Sequence, residues 1–250
     1  MNVVELTGDD DVVAACEDDP LLVWAAQGMR AGVRAWALGE AVAVASPDLN
    51  RRDRLTVRGD AREVTRLVRL VLPELGPSYR LLGDRPLVEE LAGRMGEVEP
   101  PKTFEWMDTD RPPPVSADRE GAVVAAGWLR GADGEVGTLL AQASPSSWAV
   151  PGLPWIRRWA GLRESGGQLV ATAADAWSCP RMGFVAGVAT AAAARGRGYG
   201  QAVCRFVFAA LAAEHGRVAL MVDTDNRAAI GVYGRLGMKV RPVAAAVVSR

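Results

Sequence analysis

Apolar residues along the chain fall into short runs and helical stripes, broken at intervals by glycine, proline and charged residues. In the first half, Leu21 to Met29 reads as a short helix. Val33 to Leu38, Val42 to Ala45 and Arg54 to Val57 read as strands, the first two joined through Gly39-Glu40 as a hairpin. Asp60 stands as an N-cap before Val64, Leu67, Val68 and Val71 at helical spacing, and Pro73 and Gly76 close that helix. Tyr79 to Leu82 is a short strand, and Arg85 to Met95 a helix. In the second half, Val123 to Arg130 suits either a strand or a helix, and Glu135 to Ala143 is helical. Trp159 to Arg163 and Leu169 to Ala174 are strands around a Gly166-Gly167 turn, and Met182 to Thr190 is an apolar strand. Val203, Phe206, Val207, Ala210 and Leu211 share one helix face that stops at Gly216. Val218 to Val222 has the continuous apolar character of a buried parallel strand, Asn226 to Leu236 is a helix ended by Gly237, and Met238 to Val248 is a final strand. Each half therefore runs helix, three strands, helix, strand, helix, which points to an internal duplication.

The stretch Asp108 to Ala117, with Pro112-Pro113-Pro114, reads as a stiff linker, so the expected domains are 1–112 and 116–250. Composition adds exclusions. With 49% hydrophobic and 24% charged residues the chain fits a soluble globular protein, and a net charge of −1 supplies no field for nucleic acid or an anionic membrane. No apolar run of about 18 residues is present, and the N-terminus turns acidic at Asp9-Asp10-Asp11 with no basic leader, so a cytoplasmic protein is expected. Cys16, Cys179 and Cys204 are far apart, which disfavours a disulfide framework or a structural metal site.

The chemistry concentrates in Arg195-Gly196-Arg197-Gly198-Tyr199-Gly200, which follows an apolar strand and opens a helix. Free N–H groups of a first helical turn, the positive end of the helix dipole, glycines that admit close approach and two permanent cations make an anion site. A dinucleotide-binding fold fits badly, because three strands of the same block precede the glycines. A P-loop fits badly too, because no lysine and hydroxyl follow Gly200. The corresponding turn in the first half, Arg58-Gly59-Asp60-Ala61, puts an acid where an anion would go.

Residues 116 to 250 resemble the GNAT superfamily of acyl-CoA-dependent N-acetyltransferases. Arg195-x-x-Gly198-x-Gly200 matches that family's [RQ]-x-x-G-x-[GA] phosphate pattern. Asn226, Ala229, Tyr233 and Gly237, with Met238 in place of Phe, match its Asn-x-x-Ala-x-x-x-Tyr-x-x-x-Gly-Phe pattern. The resemblance implies an α/β (α+β) fold of two mixed sheets flanked by helices. The second domain's fourth and fifth strands, Met182–Thr190 and Val218–Asp223, would splay at a bulge near Gly187. It implies an acetyl-CoA donor held by Val188, Ala189, Thr190, Arg195, Gly196, Arg197, Gly198, Tyr199, Gly200 and Asn226. Tyr233 would be the general acid, and a small-molecule or peptide amine the acceptor. The tandem arrangement leaves the first domain a degenerate copy, and a monomer or homodimer is expected.

The family's strand glutamate has no counterpart between Met182 and Thr190. Asp175, Glu164, Asp223 and His215 are the nearby candidates for a base, each with a bland alternative as a solvated, capping or helix-terminal residue. Two other readings stay open: a non-catalytic CoA-binding regulator, motivated by the missing acid, and an acyltransferase using a longer acyl-CoA. Trp148, Trp155, Trp159 and Trp177, with the irregular Ser144–Gly152 segment, are expected to wall the acceptor pocket or simply to pack.

Overall fold

The structure is a computed structural model, described here for residues 2–112 and 125–248. The chain divides into two compact units, Met1–Trp106 with Arg241–Arg250, and Met107–Val240. The sequence expectation divides it near 112–116 and leaves the C-terminus with the second half. Contacts instead group the last strand with the first unit.

The first unit begins with β1 (Val4–Leu6), α1 (Asp9–Ala15), α2 (Pro20–Ala26), β2 (Arg34–Leu38) and β3 (Ala41–Leu49). It continues with β4 (Arg52–Arg58), α3 (Ala61–Leu75), β5 (Arg80–Asp84), α4 (Arg85–Met95) and β6 (Glu97–Thr109), whose residues up to Trp106 belong to it. The acidic run Asp9-Asp10-Asp11 is the first turn of α1. Its carboxylates suit the positive helix end, and the Gly8 N–H donates to Asp11 Oδ2 at 3.0 Å. Asp19 caps α2, accepting from Leu21 N at 2.9 Å, with Pro20 at the first helical position. Helix α3 runs past Pro73 to Leu75 because the proline falls in its last turn. Val64, Leu67, Val68 and Val71 of α3 and Val88 and Leu91 of α4 pack against Ala43, Ala45, Leu55, Val57 and Leu81 of the sheet. Strand β6, with Pro100-Pro101 inside it, carries too little alternation to be read from sequence.

The second unit comprises β7 (Gly127–Trp128), α5 (Asp133–Ala143), β8 (Ile156–Arg163), β9 (Leu169–Ala176), β10 (Gly183–Thr190), α6 (Tyr199–His215), β11 (Val218–Asp223) and α7 (Arg227–Arg235). Of the segment read as strand or helix, Gly127–Trp128 is a strand, and residues 123 and 124 lie outside the described residues, as do residues 113–117 of the expected linker, whose first residues Asp108 and Thr109 belong to β6. Strands β7 to β10 are antiparallel neighbours and β11 lies parallel to β10. The apolar face of α6 (Val203, Val207, Phe208, Leu211) packs on Ala160, Leu162, Ala171 and Val185, and Tyr233 and Leu236 of α7 complete that core.

Both units therefore follow helix, three antiparallel strands, helix, parallel strand, helix, as the duplicated pattern predicts. Strand β12 (Lys239–Val248) pairs antiparallel with β5, from Val243 opposite Asp84 to Ala246 opposite Leu81. Arg241 at its start bonds Asp84 and, at 2.8 Å, Asp19 Oδ2. Partial burial works against its charge, but the two carboxylates outweigh that and hold the guanidinium above its ordinary range. Removing the cation leaves Asp19, whose side chain is only 9% exposed, with just the longer contact of Arg58 Nε at 3.8 Å as counter-charge. Arg241→Met should therefore lower unfolding stability by about 1–3 kcal/mol, the buried-pair value discounted for the arginine's partial exposure. Urea denaturation at neutral pH with no loss of stability would show that this pair does not anchor β12.

Candidate active site

The parallel pairing of β10 with β11 covers only Gly183–Val218, Phe184–Ala219 and Val185–Leu220. Beyond Val185, β10 continues to Thr190 with no β11 partner in register, while its antiparallel register with β9 slips between Ala186 and Ala189. Gly187 sits in that slip with φ +62°. A Cβ there would also stand 2.6 Å from the Trp159 ring and 3.2 Å from Ala149 Cβ, so both backbone and packing demand glycine. The bulge expected at Gly187 is present, and the two strands part beyond it. Ala186 to Val188 are half-buried, Ala189 is buried and Thr190 half-buried, so this segment offers backbone hydrogen-bonding groups along a partly open edge.

The chain then passes through exposed Arg195 to Gly198 into α6. Gly198 is the N-cap, with φ +82° and no side chain capping the helix, so the first-turn N–H groups face the turn. Gly200 brings the helix close to the strand end, since a Cβ on it would lie 2.9 Å from Thr190 Oγ1. Arg197 pairs with Glu164 at 2.5 Å and lies over the ring of buried Tyr199, 4.9 Å from its centroid. Arg195 donates to the carbonyls of Thr190 at 3.4 Å and Ala143 at 3.3 Å. Both arginines are solvent-accessible at their heads, so their present bonds are weak and exchangeable.

Asn226 is the N-cap of α7, its Oδ1 accepting from Ala229 N at 3.2 Å, which leaves its amide nitrogen as the group for any ligand. Tyr233 lies 6% exposed, with its ring 6.1 Å from that of Phe208. Burial, with a smaller contribution from Cys204, pushes its phenol well above the ordinary range, so it stays protonated at any assay pH. Cys204 is buried as expected, its thiol pushed up to about 12 by that burial. Among the acids weighed as bases, Asp175 is fully buried. It accepts from Ser178 Oγ at 2.5 Å and from Arg158 Nε at 3.1 Å, while Ser178 Oγ accepts from Phe184 N at 2.8 Å. That network pins the start of β10. Glu164 is engaged by Arg197, and His215 contacts the Pro180 carbonyl at 3.4 Å beside the helix end.

The tryptophans divide. Trp159 and Trp177 are buried, whereas Trp148 and Trp155 are 38% and 43% exposed. Trp159 also lines a cleft of about 340 Å³ with Leu129, Asp133, Leu153 and Arg157. Trp159 is thus shared by this cleft and by the packing around Gly187. Trp155 and Trp177, bonded through the Trp177 N–H to the Trp155 carbonyl at 2.8 Å, hold φ of +71° and +52°. Left-handed backbone at two bulky residues stores strain, and no sequence signal pointed to it.

In the first unit the topologically equivalent helix end is closed. Asp60 Oδ1 accepts from Arg62 N at 2.9 Å and Glu63 N at 3.3 Å, occupying the donors an anion would need.

A family model described as "Acetyltransferase (GNAT) family" matches residues 86–238, more than half of the chain. The chain belongs to the GNAT family of acetyltransferases and is an acyltransferase enzyme of that type. Its fold is similar to that of a GCN5-related N-acetyltransferase from Kribbella flavida (TM-score 0.58, 19% identity, 90% of this chain and 93% of that one). It is also similar to a GCN5-related N-acetyltransferase from Sphaerobacter thermophilus (TM-score 0.57, 18% identity, 99% and 96%). No curated protein matches the chain significantly.

Gly187→Ala should cost about 2–4 kcal/mol, from left-handed backbone strain together with the collision against Trp159. Trp159→Leu in the same chain should recover only the collision part. A double-mutant cycle by chemical denaturation in which Gly187→Ala alone is neutral would remove the glycine from its role in the bulge.

Proposed function

We propose that this chain transfers an acetyl group from acetyl-CoA to the primary amine of a small molecule or peptide by direct attack on the thioester. The observation that carries this reading is the parting of β10 from β11 directly before an uncapped, glycine-opened helix end. Such a parted edge suits the pantetheine arm, whose amides would pair with Val188, Ala189 and Thr190 as an added strand does. The turn from Arg195 through Gly196, Arg197, Gly198 and Tyr199 to Gly200 suits the pyrophosphate, with Arg197 exchanging Glu164 for phosphate oxygens. The Asn226 amide nitrogen is the further contact. The amine nitrogen bonds to the carbonyl carbon, the C–S bond breaks, and the thiolate takes a proton from Tyr233. The cleft at Trp159 suits the acceptor.

Asp175 and Glu164 are engaged in ion pairs, which supports an amine that loses its proton to water. Then kcat/KM should rise tenfold per pH unit up to the acceptor amine's own pKa. No falling limb from Tyr233 should appear below about pH 10, because its raised pKa keeps it a donor throughout. Tyr233→Phe should lower kcat by about 10 to 1,000-fold with CoA affinity and Tm nearly unchanged. Wild-type kcat under chemistry-limited turnover would return Tyr233 to packing alone, and CoA binding without thiol release for any amine would favour a regulator.

Gly198→Asp places charge and a strained backbone at the phosphate turn and should nearly abolish CoA binding. Calorimetry on the parent chain should give one CoA per chain, since Asp60 occupies the equivalent helix end. Two sites, or unchanged affinity in Gly198→Asp, would overturn the assignment.

A further inference from the structure

Strand β4 carries two chemically different faces. Leu55 and Val57 join the core beneath α3 and α4, and by strand alternation Arg52, Arg54, Thr56 and Arg58 point the other way. At one end of this row Arg58 is matched, bonding Glu17 and the Cys16 carbonyl. Further along, the pattern breaks. Arg54 is 5% exposed and Thr56 is 0% exposed, yet Arg54 Nε and Thr56 Oγ1 are buried with no hydrogen-bond partner.

The parallel register sets Arg54 beside Arg80 of β5, so two guanidinium groups are neighbours on one sheet face. Like charges in that position repel. Burial first, and then Arg80 and Arg52, lower the Arg54 pKa to about 10, and no carboxylate contributes. Arg34, Arg58, Arg85, Arg94 and Arg241 of this unit, by contrast, pair with acids. A buried cation beside a second cation, with an unused hydroxyl one step deeper, is an arrangement that an anion resolves.

We propose that Arg54, Arg80 and Thr56 form an oxyanion subsite in the first unit that takes the carboxylate or phosphate group of a small molecule. A guanidinium fork meets two oxygens of either group, and the Thr56 hydroxyl donates to one of them. Exposure falls along the row from Arg52 to Thr56, so the charged group enters from the Arg52 end. The subsite is separate from the Asp60 turn, which follows the opposite end of β4, and it does not rest on the acetyl-transfer reading.

The test is thermal unfolding of the full chain in anion-poor buffer, titrated with inorganic phosphate or with succinate. The same titrations are run on Arg54→Met and Arg80→Gln, and acetyl-CoA affinity is measured on the same samples. The parent chain should gain about 5 °C in Tm at 100-fold excess over Kd. Arg54→Met should lose that gain and melt above the parent in anion-poor buffer, because an uncompensated buried charge is gone. Arg80→Gln, at a half-buried position that tolerates change, should bind at least tenfold more weakly and carries the test if Arg54→Met does not fold. Acetyl-CoA affinity should be equal in all three. A response to phosphate alone identifies a phosphoryl ligand, and one to succinate alone a carboxylate. No response by the parent to either anion, or the same response in all three proteins, overturns the subsite.

Discussion

The early end of the β10–β11 pairing is the constraint on which the candidate site depends. Parallel strands normally stay joined along their length because each unmade backbone bond in a protected place is costly. Here Gly187 takes a left-handed turn against the Trp159 ring and Ala149, the register with β9 slips, and β10 leaves β11 after Val185. The freed edge leads into the open end of α6. The first unit shows the unopened alternative: β4 and β5 stay in register from Arg54–Arg80 to Val57–Gly83, which reaches the residue before the end of β4.

The two units differ as much at the following helix end. At α6, glycine supplies the cap geometry and no side chain uses the first-turn donors. At α3, Asp60 uses them itself, a contact worth about 1 kcal/mol that also leaves negative charge where an anion would bind. A single residue type thus separates a helix end that attracts anions from one that is already satisfied. The same logic of matched and unmatched charge runs through the first unit. Arg58 and Arg241 have acids, while Arg54 beside Arg80 has none.

Much was legible because it is local. Helical stripes, the glycine turn, the caps at Asp60 and Asn226 and the bulge at Gly187 depend on residues a few positions apart, whose geometry follows from backbone sterics and hydrogen bonding. The motif spacing that places Tyr233 in the α7 helix is of the same kind. Where local cues conflict, sequence reading falters. The short helix α1 was not assigned, and Pro100-Pro101 hid β6.

What only the tertiary structure decided lies between residues far apart in sequence. Arg241 meets Asp19 across 222 positions, and β12 joins β5 of the first unit although it follows the second. Asp175 becomes a buried ion-pair partner and not an available base, and the Tyr233 phenol is held protonated by burial. Trp155 and Trp177 take strained backbone, and Arg54 lies buried without a counter-charge. By itself the sequence determined most of the helices and strands and the glycine turn that opens α6, because short-range backbone geometry settles those. Charge pairing, burial and the partner of each strand awaited the fold, because they depend on what long-range packing brings beside each side chain.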